Sequence, residues 1–318
     1  MKLISYEVNK MKAANIYHFK KNNNTFYVLG IGKFDGFHIG HQKIVEQIID
    51  QAKTNHCIPA IFTIKNYPSI TVLNTWQERL AALKKGGIEL CLWADFTEIQ
   101  KLSHEEFLRK LQILCDIKAI VVGNNFRFGF HRKGDIDFLR LWGEKNEITV
   151  CAMESIKVNG KIVSSSTIKK LIENSKFFEA RSMLGRWYSI KGKCFPGRGV
   201  GRNIGFPTIN LKITNDNSPF TEGIYACLVK HGNRFYKSVV FYGKRLTFND
   251  SISFEVHIPD NLIPSSYGKN FVVIPLAKIR EPRKFTNVAL LTAEIKKDVL
   301  KMKNIFSSIK LDDIREKL

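Results

Sequence analysis

Phe26-Tyr27-Val28-Leu29-Gly30-Ile31 is an apolar run of strand length, and Gly32-Lys33-Phe34-Asp35-Gly36-Phe37-His38-Ile39-Gly40-His41 carries it into a helix. The helix is legible from Gln42 to Ala52, where Ile44, Val45, Ile48 and Ile49 recur on one face. An apolar strand that turns directly into an amphipathic helix is the repeating unit of a parallel sheet covered on both faces. In such sheets ligands bind beyond the carboxyl ends of the strands. The free N–H groups and positive end of the following helix favour phosphate there. Gly36 and Gly40 let backbone come close to a ligand. His38 and His41 are three positions apart and share a helical face, so both imidazoles can hydrogen-bond one phosphate and steady a leaving pyrophosphate. Zinc is the other use of paired histidines, but no third ligand lies nearby and the spacing is not i, i+4.

The same texture repeats outward from this stretch. Ile58 to Ile64 and Ile88 to Ala94 are predicted strands, and Trp76 to Lys85 is a predicted helix stopped by Gly86-Gly87. Glu105 to Cys115 is a helix opened by Ser103, with Glu106 completing a capping box. Ala119 to Gly123 is a fourth strand, and one helix is expected from Ile168 to Leu184. Strand and helix in alternation predict a doubly wound α/β domain over residues 1–184. Beyond it helical periodicity fades. Tyr188 to Gly192, Ile224 to Val229, Tyr236 to Tyr242, Ser251 to Ile258 and Phe271 to Pro275 are short strands between Gly, Pro, Asn and Asp. They predict an antiparallel β-barrel over residues 185–318, closed by a helix from Asn287 to Lys303 and another over Ile309 to Leu318.

Two domains suit a chain of 318 residues, and 44% hydrophobic composition excludes a disordered chain. Fifty Lys and Arg against 29 Asp and Glu give 50 − 29 = +21, which points to anionic partners: nucleic acid, nucleotide phosphates or an acidic membrane surface. The six cysteines are scattered singly, without a C-x-x-C, as expected of buried thiols in a reducing cytoplasm. No apolar run reaches the ~20 residues of a membrane span, and Met1 to Lys12 lacks the apolar core of a signal peptide. No membrane partner is therefore expected, and nothing in the composition sets an oligomeric state.

A second constellation lies in the β-rich half. Gly197, Gly199, Gly201 and Gly205, with Arg198 and Arg202, form a basic loop able to fold over phosphates. No Gly-Lys-Ser/Thr closes it, so it is not a Walker loop. Pro207 stiffens its exit. Thr208 and Asn210 are two apart and face one side of an extended chain, a reasonable site for Mg²⁺ and phosphate. Glu255 and His257 alternate with Phe254 and Val256 on a strand; a solvated strand glutamate is the common fate of such a residue, while phosphoryl transfer to an alcohol needs a base near the hydroxyl. His257 reads as a strand-surface or barrel-rim histidine.

Together these residues resemble the prokaryotic bifunctional riboflavin kinase/FAD synthetases. Gly32 to His41 is similar to the H-x-G-H nucleotidyltransferase motif, with Gly32, Phe34 and Gly36 on the ATP side. Gly123 to Gly129, with Gly134-Asp135, resembles the loop that serves flavin and nucleotide. The resemblance implies flavin contacts at Asn125, Phe126, Arg127 and Phe128. Val163 to Lys169 resembles the segment that holds ATP phosphates, which implies that role for Ser164, Ser165, Ser166 and Lys169; the same serines can simply cap the next helix. In the second half it implies ATP binding by Gly201, Arg202, Thr208 and Asn210, Mg²⁺ on Thr208 and Asn210, Glu255 as base for the ribityl 5′-hydroxyl, and a flavin or phosphate contact at Arg280. Tyr267-Gly268 resembles a later motif.

The implied fold is a Rossmann-like nucleotidyltransferase domain followed by a riboflavin kinase barrel with a C-terminal helix. The implied activity is ATP-dependent phosphorylation of riboflavin to FMN and adenylylation of FMN to FAD. Departures from the family pattern fall at Lys33, Lys65-Asn66-Tyr67-Pro68, Ser166, Lys169 and Phe241 to Thr247. Two alternatives accompany this reading: a chain that keeps only one of the activities, and a basic nucleic-acid-binding or regulatory protein. For the latter no helix-turn-helix or RNA-binding aromatic motif is present.

Overall fold

The computed structural model describes residues 6–8, 11–22, 24–68, 71–197, 199–215, 218–245, 249–259, 268–309, 311 and 314. By contacts the chain forms two compact units: residues 1–70 with 74–165, and residues 71–73 with 166–318.

The first unit contains β1 (Tyr6–Val8), β2 (Met11–Asn15), β3 (Phe26–Ile31), α1 (Ile39–Thr54), β4 (Ile58–Ile64), α2 (Trp76–Lys85), β5 (Leu90–Ala94), α3 (Phe96–Ile99), α4 (His104–Leu114), β6 (Asp116–Gly123), α5 (Ile136–Lys145) and β7 (Thr149–Met153). A small hairpin, β8 (Lys157–Val158) and β9 (Lys161–Ile162), follows. The strands form one sheet in the order β1-β2-β5-β4-β3-β6-β7, parallel from β2 onward. Alternate residues of each strand enter opposite cores. Val28, Ile61, Cys91 and Val121 pack with Val45 and Ile48 of α1 and with Leu80 and Leu83 of α2. Leu29, Phe62, Leu92 and Ile120 pack with Leu108 and Leu111 of α4 and with Leu139 of α5. Burial on both faces is why these strands read as continuous apolar runs. The strand order reverses between β3 and β6, so the loops that leave their carboxyl ends flank the switch-point crevice.

The second unit opens with helices. Where one helix was expected from Ile168 to Leu184, the chain forms α6 (Ser165–Glu173) and α7 (Phe177–Leu184). The break is local: Ser175 takes φ 57°, and the Ser175 and Lys176 amides turn back onto the carbonyls of Ile172 and Leu171. Then come β10 (Ile190–Phe195), the single turn α8 (Val200–Asn203), β11 (Thr208–Ile213), β12 (Gly223–His231), β13 (Arg234–Arg245), β14 (Asn249–His257), β15 (Asn270–Arg280) and α9 (Val288–Ser307). The six strands close a barrel in the order β10-β11-β14-β13-β12-β15, all antiparallel. Ile224, Ala226 and Leu228 of β12 join Met302 and Phe306 of α9 in one core. The intervening Tyr225, Cys227 and Val229 are equally buried, so β12 is covered on both faces. Most of the expected helix over Ile309 to Leu318, together with Arg198, Tyr267 and part of the Phe241 to Thr247 segment, lies outside the described residues.

Candidate functional sites

In the first unit the loop from β3 to α1 is set by backbone that few side chains tolerate. Phe34, Gly36 and Phe37 take φ of 51°, 83° and 40°. The Gly32 amide donates to the Phe62 carbonyl (3.1 Å), and Thr63 Oγ1 donates to the Lys33 carbonyl (3.1 Å), tying the loop to β4. A Cβ on Gly32 would press on the buried Phe34 ring, 3.2 Å away. His38 is the N-cap of α1, and its Nδ1 accepts the His41 amide at 3.3 Å. A neutral His38 therefore carries its proton on Nε2. The two imidazoles stack, centroids 3.6 Å apart and 17° from parallel. The His41 Nδ1 is buried and has no hydrogen-bond partner among the described residues. Burial, then the neighbouring charges of His38 and Arg79, hold the His41 imidazole well below its ordinary range. Buried Asp35 accepts the Asn74 amide through its carboxylate (3.3 Å), while its carbonyl accepts Ser165 Oγ (2.7 Å). Ser164 is half-buried, two residues beyond the hairpin. Ser166 and Lys169 belong to the second unit, where the Lys169 ammonium donates to the Thr71 carbonyl at 2.6 Å.

The loop after β6 carries the four residues implied as flavin contacts. Asn125 Nδ2 donates to Ser155 Oγ (3.2 Å), and Arg127 lies 3.9 Å from Asp135, which caps α5. The Phe126 and Phe128 rings stack at 5.2 Å. Phe128 is a core residue against Phe107, while Phe126 is half-buried.

Two features of this unit escaped the sequence reading. Arg79 of α2 is buried; its Nη1 donates to the Ile64 carbonyl (2.8 Å), and its Nε has no hydrogen-bond partner among the described residues. The signal was available: Trp76, Leu80 and Leu83 make an apolar stripe, and Arg79 falls within it. The second is a pair of departures from the family pattern. The Lys33 ammonium lies over the Tyr67 ring, joining the loops that leave β3 and β4.

In the second unit the glycine-rich segment winds through Gly199 (φ 73°), α8 and Gly205 (φ 84°). Two glycines are required by packing. A Cβ on Gly197 would overlap the Asn210 carboxamide, and one on Gly201 would overlap the Phe206 carbonyl and lie 3.3 Å from Thr208 Oγ1. The antiparallel register places Thr208 opposite His257 and Asn210 opposite Glu255. Thr208 Oγ1 donates to Glu255 Oε2 (3.3 Å) and Ser253 Oγ to Glu255 Oε1 (3.0 Å). Gly201, Thr208, Asn210, Glu255 and Arg280 line one cavity of about 200 Å³. Arg202, in the α8 turn, is exposed.

Beside these polar groups the cavity is lined by Ile224, Val239, Phe241, Phe285, Leu291 and Ile295. It suits a ligand that is largely apolar and carries a few polar groups. Arg280 reaches across to α9, its Nε and Nη2 gripping Asp298 at 3.0 and 2.8 Å and its Nη1 donating to the Glu281 carbonyl. Arg283 pairs with Glu294 at 2.6 Å. Burial raises the Asp298 carboxyl above its ordinary range, against the opposing pull of Arg280. His257, expected on a strand surface or barrel rim, is 7% exposed and lines the same cavity. Its Nδ1 lies 2.9 Å from the Pro207 carbonyl, and its ring meets the Phe206 ring edge-on at 5.4 Å.

Comparison with known proteins places two family models end to end on the chain: FAD synthetase over residues 20–167 and riboflavin kinase over residues 184–306. A bifunctional riboflavin kinase/FMN adenylyltransferase of Buchnera aphidicola subsp. Schizaphis graminum is 30% identical over 314 residues, 94% of this chain and 100% of that protein. Proteins of the same description from Bacillus subtilis and Escherichia coli K12 are each 27% identical, over 92% and 89% of this chain and 97% and 94% of their own lengths. A crystal structure named for a macrolide-efflux protein of Streptococcus pneumoniae superposes with a TM-score of 0.78 at 26% identity, covering 92% of this chain and 99% of that one. That name is said of that protein; among the described residues of this chain no helix is long and apolar enough to cross a membrane.

Proposed function

The chain belongs to the bifunctional riboflavin kinase/FMN adenylyltransferase family, and we propose that its two reactions are carried by the two sites just described, one in each unit. It is a transferase of flavin cofactor biosynthesis: it phosphorylates riboflavin to FMN with ATP, and adenylylates FMN to FAD.

The barrel cavity is the kinase site. Riboflavin lies with its ring system along the apolar wall and its ribityl tail toward Glu255. The Glu255 carboxylate takes the proton of the 5′-hydroxyl, the oxygen attacks the γ-phosphorus of ATP, and ADP leaves. Gly201 and Arg202 bring backbone and charge to the phosphates, and Arg280, fixed by Asp298, borders the flavin. The donor set fits a hard divalent cation. Thr208 and Asn210 offer uncharged oxygens beside the Glu255 carboxylate, and glycine at 197 makes room for the Asn210 carboxamide. Thr208 and Asn210 would hold Mg²⁺, which when bound neutralises charge on the ATP phosphates.

The switch-point crevice of the first unit is the adenylylation site. A phosphate oxygen of FMN attacks the α-phosphorus of ATP and pyrophosphate leaves. His38 and His41 hydrogen-bond the phosphates as charge shifts onto the leaving group. Gly32, Phe34 and Gly36 shape the ATP side, Ser165 meets the same loop through its bond to the Asp35 carbonyl, and Ser164 precedes it in the chain. Asn125, Phe126, Arg127 and Phe128 receive the flavin.

The convergence of Thr208, Asn210 and Glu255 on one cavity beneath the glycine-rich segment is the observation that carries this reading. The test is a product assay with riboflavin, ATP and Mg²⁺, resolving FMN and FAD by chromatography, and a second run starting from FMN. Both products are expected. Riboflavin recovered unchanged, with no FAD from supplied FMN, would sink the assignment.

A further inference from the structure

We propose that His257 is a positioning residue for the kinase reaction: it anchors the exit of the glycine-rich segment to β14 and thereby sets Thr208 against Glu255. The inference rests on the kinase reading of the barrel cavity.

Three observations converge on this residue. His257 is a buried polar side chain on the wall of the cavity, so its placement needs a polar partner. That partner is the Pro207 carbonyl, 2.9 Å from Nδ1. A carbonyl only accepts, so Nδ1 carries the proton and the ring is the donor. The register then places His257 directly opposite Thr208 on β11, and Glu255 lies two residues earlier on the same strand. One strand thus holds both the anchor and the carboxylate that Thr208 meets.

The anchor acts where the chain most needs one. The segment from Gly199 to Phe206 contains Gly199 and Gly205 at positive φ and a single helical turn, and its backbone hydrogen bonds, Arg202 to Gly199, Gly205 to Arg202 and Phe206 to Gly201, run between its own residues. Pro207 has no N–H to donate to a ladder. The Phe206 amide bonds back to the Gly201 carbonyl (2.7 Å), and the Pro207 carbonyl, accepting from His257, ties the junction to β14. The edge-on contact of the His257 and Phe206 rings closes the clamp. With the exit fixed, motion of the glycine segment pivots ahead of Thr208 and leaves the Thr208–Glu255 contact in place. The Nδ1–H persists in both the neutral Nδ1 tautomer and the imidazolium, so anchoring does not require the ring to change charge.

The experiment is a comparison of H257A, H257N and H257Q in the full chain, with initial rates of FMN formation from riboflavin and of FAD formation from supplied FMN. Asparagine puts an amide nitrogen near the place of Nδ1, whereas glutamine puts one near the place of Nε2. H257A and H257Q are expected to lower kcat of the kinase reaction by up to about 100-fold, the scale of a misplacement near 1 Å. Their KM for riboflavin should move little, and H257N should recover most of the loss. Adenylylation of FMN should stay unchanged throughout. Full kinase activity in H257A overturns the proposal. Equal loss in all three variants also overturns it, because the imidazole would then act by its own chemistry. Should H257A fail to fold, judged by thermal unfolding, the H257N/H257Q pair decides the matter by the same criterion. A wild-type chain that makes no FMN defeats the kinase reading itself, and the anchor with it; an active wild type with the wrong variant pattern defeats the anchor alone.

Discussion

The Lys33 ammonium lies 3.1 Å from the centre of the Tyr67 ring, on loops that leave the carboxyl ends of the neighbouring parallel strands β3 and β4. Each residue departs from the family pattern, and the structure makes the two departures one contact. Lys33 is exposed and Tyr67 half-buried, with its other edge on Phe96. An exposed cation–π pair contributes about 0.5–1 kcal/mol. A double-mutant cycle of Lys33→Met and Tyr67→Leu, followed by thermal unfolding, should return a coupling energy of about that size. Strictly additive single effects would contradict the pairing.

Glu255→Gln keeps the size of the side chain and removes its ability to take a proton. FMN formation should fall by about 10²–10⁴-fold, the usual contribution of a general base. One of the Thr208 and Ser253 hydroxyls can still donate to the amide oxygen while the other accepts from the amide nitrogen, so the barrel should unfold near its wild-type temperature. FAD formation from supplied FMN should be unaffected, since His38 and His41 lie in the other unit. Equal loss of both reactions would contradict separate sites.

Much of this was legible in the sequence because the signals were local. The β3–α1 junction reads from one apolar run and one helical period. The common side of Thr208 and Asn210 follows from the period of two in a strand. What stayed hidden depends on contacts between distant segments. His257 looks like the polar partner of Glu255 on an alternating strand, and only the register with β11 makes it a buried donor to Pro207. The Arg280–Asp298 pair joins a strand end to a later helix, and no periodicity links them. Arg79 was readable in principle, since it interrupts an apolar stripe, but its carbonyl partner on β4 depends on how α2 packs.

The stacked histidines give the first unit a pH signature. The folded-state pKa of His41 lies well below its unfolded value, about 6.5. Above that value both states are neutral at this site and it contributes nothing. As pH falls below it, the unfolded chain takes up a proton that the folded chain refuses, so stability is lost. His41→Asn removes that term. Thermal unfolding between about pH 7.5 and pH 5 should therefore show a steeper acid decline in the wild type than in the variant. Parallel curves would mean that the imidazole titrates normally.

Asp298 is the buried half of the pair that ties α9 to the barrel. Its side chain is 2% exposed and that of Arg280 15%. Asp298→Ala leaves the guanidinium in place with its two strongest bonds gone, and removal of one partner from a buried pair costs about 3–5 kcal/mol. Glu294 lies 3.6 Å from the same guanidinium and absorbs part of that loss, so the lower end of the range is expected. Removing both charges together, as Asp298→Ala with Arg280→Met, leaves no buried unpaired ion and should recover stability relative to the single variant. Denaturant unfolding of the full chain, followed alongside FMN formation, measures both effects. If the double variant is less stable than Asp298→Ala alone, the Arg280 charge is not what makes the single change costly, and the cavity floor is held by apolar packing of α9 instead.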